Sequence, residues 1–225
     1  MDNTILNIFN NVDHTNLKKT ACKTDIEKLC KEAVANGAKS VCVQPCYVSY
    51  AKNLLENEAP LVCTVIGFPN GYHTTNVKKS ETIEAIFDGA DEVDMVINNC
   101  WLKDKEYDKI RNEINELATI CHDGQCSEKR ITLKVIIETC LLTEDEIELM
   151  CEICLEAGAD YIKTSTGFDA KGAQLEHIYL MANVIGGRGL KIKASGGIRT
   201  IQDADNMIKA GADRIGASSL FNGVN

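Results

Sequence analysis

Apolar positions along the chain fall into two alternating patterns: short continuous runs, and stretches in which apolar residues recur every three or four positions. The first suits strands buried on both faces, the second helices with one buried stripe. Strands are predicted near Val12–Thr15 and over Val41–Val43, Leu61–Ile66, Glu92–Ile97, Ile131–Ile137, Tyr161–Lys163, Leu190–Ala194 and Arg214–Gly216. Ile26, Leu29, Cys30, Ala33 and Val34 mark a helix opened by the capping box Thr24-x-x-Glu27 and ended by Gly37. Another helix is predicted from Thr75 to Asp88, and Ile110, Ile114, Leu117 and Cys121 mark a long amphipathic one. Thr143-x-x-Glu146 opens a helix that runs to Ala157, and two more are predicted near Gln174–Val184 and from Thr200. Trp101 and Leu102 pack a helix start. No linker interrupts this alternation, which predicts one domain built on a parallel sheet with helical crossovers.

A repeat chooses between an open sheet and a barrel. Gly-Ala occurs at 37–38, 89–90, 158–159 and 211–212, each time between a helix and a strand, and the last three copies continue with Asp91, Asp160 and Asp213. About two strand–helix units separate successive copies, so the marked strands are the second, fourth, sixth and eighth. Eight units predict an α/β chain folded as a (β/α)8 TIM barrel over residues 1–225. One fixed offset from each marker glycine reaches Cys42, Asp94, Lys163 and Gly216. Alternate strands of such a barrel supply one interior layer of four side chains. These four are therefore predicted to share the top layer, with an aspartate and a lysine facing each other.

Composition narrows the function. With 44% apolar residues in 225, the chain can bury a sizeable core. The net charge of −9, with lysines and arginines scattered, argues against a nucleic-acid partner. No apolar run approaches the ~20 residues that cross a membrane, and the polar, acidic start Met1-Asp-Asn-Thr is unlike a secretory signal. Eleven irregularly spaced cysteines, several at apolar positions (Cys30, Cys42, Cys63, Cys154), read as free buried thiols in a reducing cytoplasm. Cys151-x-x-Cys154 lies within a helical pattern without a second pair, so it reads as packing rather than a redox or zinc site. His14, His73, His122 and His177 lack paired spacing, and neither a nucleophile elbow nor a P-loop occurs, so no metal or cofactor is expected.

Two lysines carry the candidate chemistry. Lys163 closes one apolar strand and Lys193 lies near the end of the next. A lysine leaving a buried strand either snorkels to solvent or reacts. The Thr-Ser-Thr-Gly that follows Lys163 reads as a polar site floor and favours the nucleophile. A neighbouring Lys193 disfavours protonation of that nucleophile; equally, Lys193 forms a structural ion pair with Asp94 or Glu138. Asp94 stands where a general acid/base works, or holds a lysine by a salt bridge. Asp13 is a similar candidate for orientation or proton relay, and His14 beside it is predicted to point out of the barrel. Lys134 is an inward-facing candidate behind them, and Lys191 ranks lower, deeper in the barrel. Ser195-Gly-Gly-Ile-Arg199 and Gly216-Ala-Ser-Ser219 follow the seventh and eighth strands, where this barrel binds phosphate through glycine-opened N–H groups. Arg199 adds charge there or caps the next helix.

At these residues the sequence resembles the deoxyribose-phosphate aldolase family from about Val12 to Leu220. The resemblance rests on Asp13-His-Thr15, Val41-Cys-Val-Gln-Pro45, Ile66-Gly-Phe-Pro69, Gly89-Ala-Asp-Glu-Val-Asp-Met-Val-Ile-Asn98, Leu133-Lys-Val-Ile-Ile-Glu-Thr139, Ile162-Lys-Thr-Ser-Thr-Gly167, Lys193-Ala-Ser-Gly-Gly-Ile-Arg-Thr200 and Gly216-Ala-Ser-Ser219. It implies a cofactor-free Schiff-base aldolase that interconverts 2-deoxy-D-ribose 5-phosphate with acetaldehyde and glyceraldehyde 3-phosphate. Lys163 would form the Schiff base, Asp94 would carry protons, and Lys193 would perturb Lys163 and join the proton relay. Gly167, Gly196, Gly197, Gly216, Ser218 and Ser219 would line the phosphate site, with Asp13, Thr15, Cys42, Lys134 and Thr164 completing the substrate pocket.

Some members of that family extend past the last Gly-Ala-Ser-Ser loop to a tyrosine that assists proton transfer. This chain reads Phe221-Asn-Gly-Val-Asn225 there, which predicts a truncated eighth helix, an exposed apolar flank and a homodimer that covers it. Two other readings stay open: a different Schiff-base aldolase or sugar-phosphate isomerase, and an inactive barrel that senses a sugar phosphate. The partner in every case is a small sugar phosphate.

Overall fold

In the computed structural model, which describes residues 3–124 and 126–221, eight parallel strands close into one barrel in sequence order. They are β1 (Val12–Asn16), β2 (Ser40–Val43), β3 (Leu61–Ile66), β4 (Glu92–Val96), β5 (Thr132–Ile136), β6 (Tyr161–Lys163), β7 (Lys191–Ser195) and β8 (Arg214–Ala217). The helices are α1 (Asn3–Phe9), α2 (Lys23–Asn36), α3 (Val48–Leu54), α4 (Thr75–Phe87), α5 (Asn99–Lys103), α6 (Tyr107–His122), α7 (Glu144–Glu156), α8 (Leu175–Ile185) and α9 (Ile201–Lys209). Every strand of the predicted set is present, within a residue or two at its ends. The short α1 and α3 have too few turns to establish a periodic stripe and are additions to the prediction, whereas α5 holds Trp101 and Leu102, expected at a helix start.

The Gly-Ala-Asp repeat has a structural explanation. Each glycine sits just past a helix end with φ between +69° and +118° (Gly37, Gly89, Gly158, Gly211), a backbone that glycine tolerates best. Each aspartate then pins the foot of its strand to the preceding one. The carboxylates of Asp91, Asp160 and Asp213 accept from the N–H groups of Val62, Leu133 and Ile192 at 2.8–2.9 Å. Their own N–H groups donate back to the carbonyls of those three residues. The repeat therefore fixes strand register at the bottom of the barrel.

Register at the bottom sets the interior above it. Strand pairing places Asp13 beside Ser40 and Gly216, Cys42 beside Cys63, Asp94 beside Lys134, and Lys163 beside Lys193. The interior side chains form layers. Ser40, Glu92, Tyr161 and Arg214 lie lowest, then Asp13, Cys63, Lys134 and Lys193, then Cys42, Asp94, Lys163 and Gly216, with Thr15, Val65, Ile136 and Ser195 one step further along the odd strands. The predicted four do share one layer, but it is not the topmost. His14 points outward, as predicted, with Nε2 2.8 Å from the carboxylate of Glu32 on α2. The apolar core lies between the barrel wall and the helices, and Cys151 and Cys154 are buried in it as packing residues.

Two expectations need correction. Helix α2 is capped by Cys22, not Thr24: the Cys22 N–H donates to the Asp25 carboxylate at 2.9 Å. Glu27, the expected capping partner, instead accepts from the Tyr50 hydroxyl at 2.6 Å. The flank beside β8 is also covered from within the chain. Phe9 of α1 is fully buried, and its ring lies 4.7 Å from that of Phe221, which in turn stacks 4.6 Å from His14. Residues 222–225, on which the expectation of a truncated eighth helix partly falls, lie outside the described residues. The boxes at Thr143/Glu146 and at Thr200/Asp203 both form.

Candidate active site

The charged interior is one connected network. Asp94, fully buried on β4, accepts from four donors: Lys134 Nζ (2.8 Å) and Cys63 Sγ (3.2 Å) on Oδ1, and Lys163 Nζ and Lys193 Nζ (2.7 Å each) on Oδ2. Lys193 also donates to Asp13. Lys134 lies 2.6 Å from Glu92 and 3.6 Å from Asp13. Arg214 closes the base, 2.6 Å from Asp13, 3.1 Å from Glu92 and 3.3 Å from the Tyr161 hydroxyl. A Cβ on Gly216 would stand 2.9 Å from the Ser195 Cβ and 3.2 Å from Lys193 Cε, so a side chain here would push both aside.

Four cations thus face three carboxylates, and they share them unequally. Lys134 contacts three carboxylates, Lys193 and Arg214 two each, and Lys163 only Asp94. Burial alone would raise the pKa of Asp94, but the ammoniums of Lys134, Lys163 and Lys193 hold it well below the carboxylate range. Asp13 is lowered against the same burial cost by Lys193, Lys134 and Arg214. Burial opposes charge on Lys193 as well, yet Asp13 and Asp94 raise it above the ordinary lysine value. Lys134 is likewise raised, by Asp94 and its neighbours. Lys193 is therefore firmly a cation, and it shares one carboxylate oxygen with Lys163.

Above this network opens a cleft of about 570 Å³. Lys163 is the network lysine that reaches it. Thr15, Gly167, Gly196, Gly197, Gly216, Ser218 and Ser219 line it as predicted, joined by Lys18, Thr166, Phe168, Ser195 and Arg199. Among the described residues, the N–H groups of Gly167, Gly196, Gly197, Ser218 and Ser219 have no protein acceptor. Five free donors on three loops, with Arg199 beside them, suit an anion.

The other predicted substrate contacts lie beneath the cleft. Asp13 and Lys134 are fully buried in the network, so they support Asp94 rather than touch substrate. Cys42 is buried beside Cys63. The Thr164 hydroxyl is committed to the Ser195 backbone, donating to its carbonyl at 3.2 Å and accepting its N–H at 3.1 Å, so it joins β6 to β7. Lys191 is exposed at the barrel foot over the Tyr161 ring, and the Glu138 side chain is not the partner of Lys193. Sequence reasoning missed Glu92 and Arg214, although Glu92-Val-Asp94 carries the period-two alternation of an inward pair.

Cys42, Cys63 and Asp94, and also Asp13, Cys63 and Glu92, bring potential metal-ligand atoms within 4.8 Å of one another. The carboxylate oxygens of both sets already accept from lysine or arginine. This donor set is committed to the protein's own cations.

A family model described as DeoC/LacD family aldolase matches residues 8–224. The deoxyribose-phosphate aldolase of Finegoldia magna is 49% identical over 208 residues, covering 92% of this chain and 94% of that one. That of Clostridium perfringens is 50% identical over 208 residues, covering 92% and 90%. The solved tetrameric deoxyribose phosphate aldolase from Aeropyrum pernix superposes with a TM-score of 0.85 at 31% identity, covering 94% of this chain and 87% of that one.

Proposed function

The chain belongs to the DeoC/LacD family of aldolases, and from that premise we propose that it works as a class I lyase whose Schiff base forms on Lys163. Its reaction is the reversible cleavage of 2-deoxy-D-ribose 5-phosphate to acetaldehyde and D-glyceraldehyde 3-phosphate, a step of deoxyribose phosphate breakdown. One observation carries the assignment of roles. Lys163 is the cation least committed to carboxylates, and it alone among the network lysines meets the cleft.

The phosphate of the open-chain sugar sits on the free N–H groups of Gly167, Gly196, Gly197, Ser218 and Ser219. That anchors one end and directs the C1 aldehyde to Lys163 Nζ. Asp94 takes a proton from Lys163 Nζ, the freed amine attacks C1, and loss of water leaves an iminium. The C3 hydroxyl then gives up its proton as the C2–C3 bond breaks. The bonding electrons flow into the iminium, leaving an enamine on Lys163 and an aldehyde on glyceraldehyde 3-phosphate. Protonation of the enamine at C2 and hydrolysis release acetaldehyde. Asp94, 2.7 Å from Nζ, is the group placed to move these protons. Lys134 and Lys193, the second sharing its oxygen, supply positive charge that keeps Asp94 ionised between transfers. Asp13, Lys134 and Arg214 hold that pair in place.

Mass spectrometry after incubation with deoxyribose 5-phosphate and sodium borohydride tests the assignment. A reduced adduct on Lys163, absent in Lys163→Ala, is expected. An unmodified wild-type protein that nevertheless binds the sugar phosphate would remove the Schiff base from the mechanism. We also place the enzyme in the cytoplasm, where its eleven free thiols stay reduced. We also propose that it is a homodimer; Tyr72, Val77 and Phe87, exposed on or just before α4, are apolar side chains that a second copy would cover. Light scattering measures that mass directly.

A further inference from the structure

Glu138 is a buried acid outside the proton network, and its backbone is unusual. Its φ and ψ are 58° and 67°, the left-handed region, two residues past the end of β5. The other non-glycine residues with positive φ, Asn57 and Lys105, are exposed, whereas Glu138 is 4% exposed. Hydrogen bonding explains the geometry. The N–H of Ile137 donates to the Lys163 carbonyl, but that of Thr139 donates to the Thr164 carbonyl. Two steps along one strand thus match one step along the other, and Glu138 is the extra residue of a bulge. Glycine would occupy such a position without strain. A glutamate there implies work for its side chain.

That work lies across the strand gap. One carboxylate oxygen of Glu138 accepts from both the N–H (3.0 Å) and the hydroxyl of Thr166. With its hydrogen committed to Glu138, the Thr166 oxygen accepts the N–H of Phe168 at 3.1 Å. This closes a turn around Gly167, whose φ is +83°. Gly167 lies against Gly196, where a Cβ on Gly167 would stand 3.7 Å from the Gly196 Cα. Both glycines line the cleft.

We infer that Glu138 is a positioning residue for phosphate recognition: through Thr166 it holds the Gly167 turn so that its N–H faces the anion. This rests on the phosphate site proposed above and names the part that sets its geometry. Glu138 itself touches no substrate.

The test uses Glu138→Gly, which keeps the left-handed backbone and removes the clamp, and Glu138→Gln, whose amide oxygen can accept both Thr166 bonds. Each is assayed with 2-deoxyribose 5-phosphate and with unphosphorylated 2-deoxyribose. Glu138→Gly relieves the left-handed strain but strands the Thr166 donors, so a near-wild-type urea midpoint is expected, which confirms that the variant is folded. Its preference for the phosphorylated sugar, as a ratio of kcat/KM, should fall about tenfold or more, mainly through KM. Glu138→Gln should restore most of that ratio. Equal losses on both sugars, or an unchanged ratio in Glu138→Gly, would overturn the inference. A wild-type enzyme indifferent to the phosphate would instead overturn the phosphate site itself, and the inference with it.

Discussion

Replacing Asp94 by asparagine changes the charge of the site while nearly preserving its shape. With every group ionised, Lys134, Lys163, Lys193 and Arg214 face Asp13, Glu92 and Asp94, an excess of one positive charge. Asparagine raises the excess to two. It also turns one of two acceptor oxygens into an N–H donor. That donor must face either Lys134 and Cys63 or Lys163 and Lys193, since all four now donate to Asp94. Removing one partner from a buried ionic cluster costs about 3–5 kcal/mol. For a chain of this length that lowers Tm by about 6–20 °C. The chemical loss is separate. If Asp94 moves the protons of carbon–carbon cleavage, its removal should lower kcat by about 10²–10⁴. Enzyme-coupled detection of glyceraldehyde 3-phosphate, well below the variant's Tm, measures that loss. Borohydride trapping with acetaldehyde in the same sample reports whether Lys163 still forms an imine. The expected variant is folded, can be trapped and is nearly inactive in cleavage. A folded Asp94→Asn enzyme within tenfold of wild-type kcat would refute the role of Asp94 in proton transfer.

Two further outcomes follow from buried charge. Lys78 on α4 and Glu113 on α6 are both fully buried and 2.8 Å apart, with Lys78 also donating to the Val96 carbonyl at 2.7 Å; burial lowers the pKa of Lys78 and raises that of Glu113. Lys78→Met should cost about 3–5 kcal/mol in urea unfolding and Lys78→Met/Glu113→Leu much less, whereas simple additivity of the two single losses would show that the pair is not coupled. The second outcome is a pH profile. Because the folded pKa values of Asp13 and Asp94 are depressed, their stabilisation is complete above the free-aspartate value of about 3.9 and is lost as pH falls below it. Lys134 and Lys193 are raised, so theirs is complete below about pH 10.4 and is lost only above it. Urea midpoints of wild type and Asp13→Asn should therefore converge as the pH drops from 5 to 2, and parallel curves would disprove the linkage.

The barrel was legible because its register device is written in the sequence. Gly-Ala-Asp marks alternate strands since each copy performs the same task, a left-handed turn followed by a carboxylate that grips the preceding strand. From that repeat the layer that holds Asp94 and Lys163 could be counted. The layers below were harder to read. Lys134 lies between Leu133 and Val135 and Arg214 beside Ile215, so each presents a single charge without a visible partner. Their partners come from strands far apart in sequence, and only closure of the barrel brings them together. Thr164 looked like a site residue because it follows Lys163, yet its hydroxyl turns sideways to the next strand. The positive φ of Glu138 was invisible, because nothing in residue type announces a left-handed glutamate.

The buried charges also explain why this barrel is not filled with aliphatic side chains as its relatives in architecture commonly are. An apolar interior would be cheaper, since desolvating ion pairs rarely adds net stability. It would also leave Lys163 without a fixed neighbour. Here the Lys163 amine is held by one carboxylate oxygen that a second, fully engaged lysine holds from the other side. Arg214 and Glu92 at the base prevent Asp13 and Lys134 from relaxing toward other partners. Each deeper layer therefore restrains the one above it, and the geometry that reaches the cleft is the end of that chain of restraint. A site built this way is rigid at Lys163, and the Gly167 turn above it is held in the same manner, by Glu138 through Thr166.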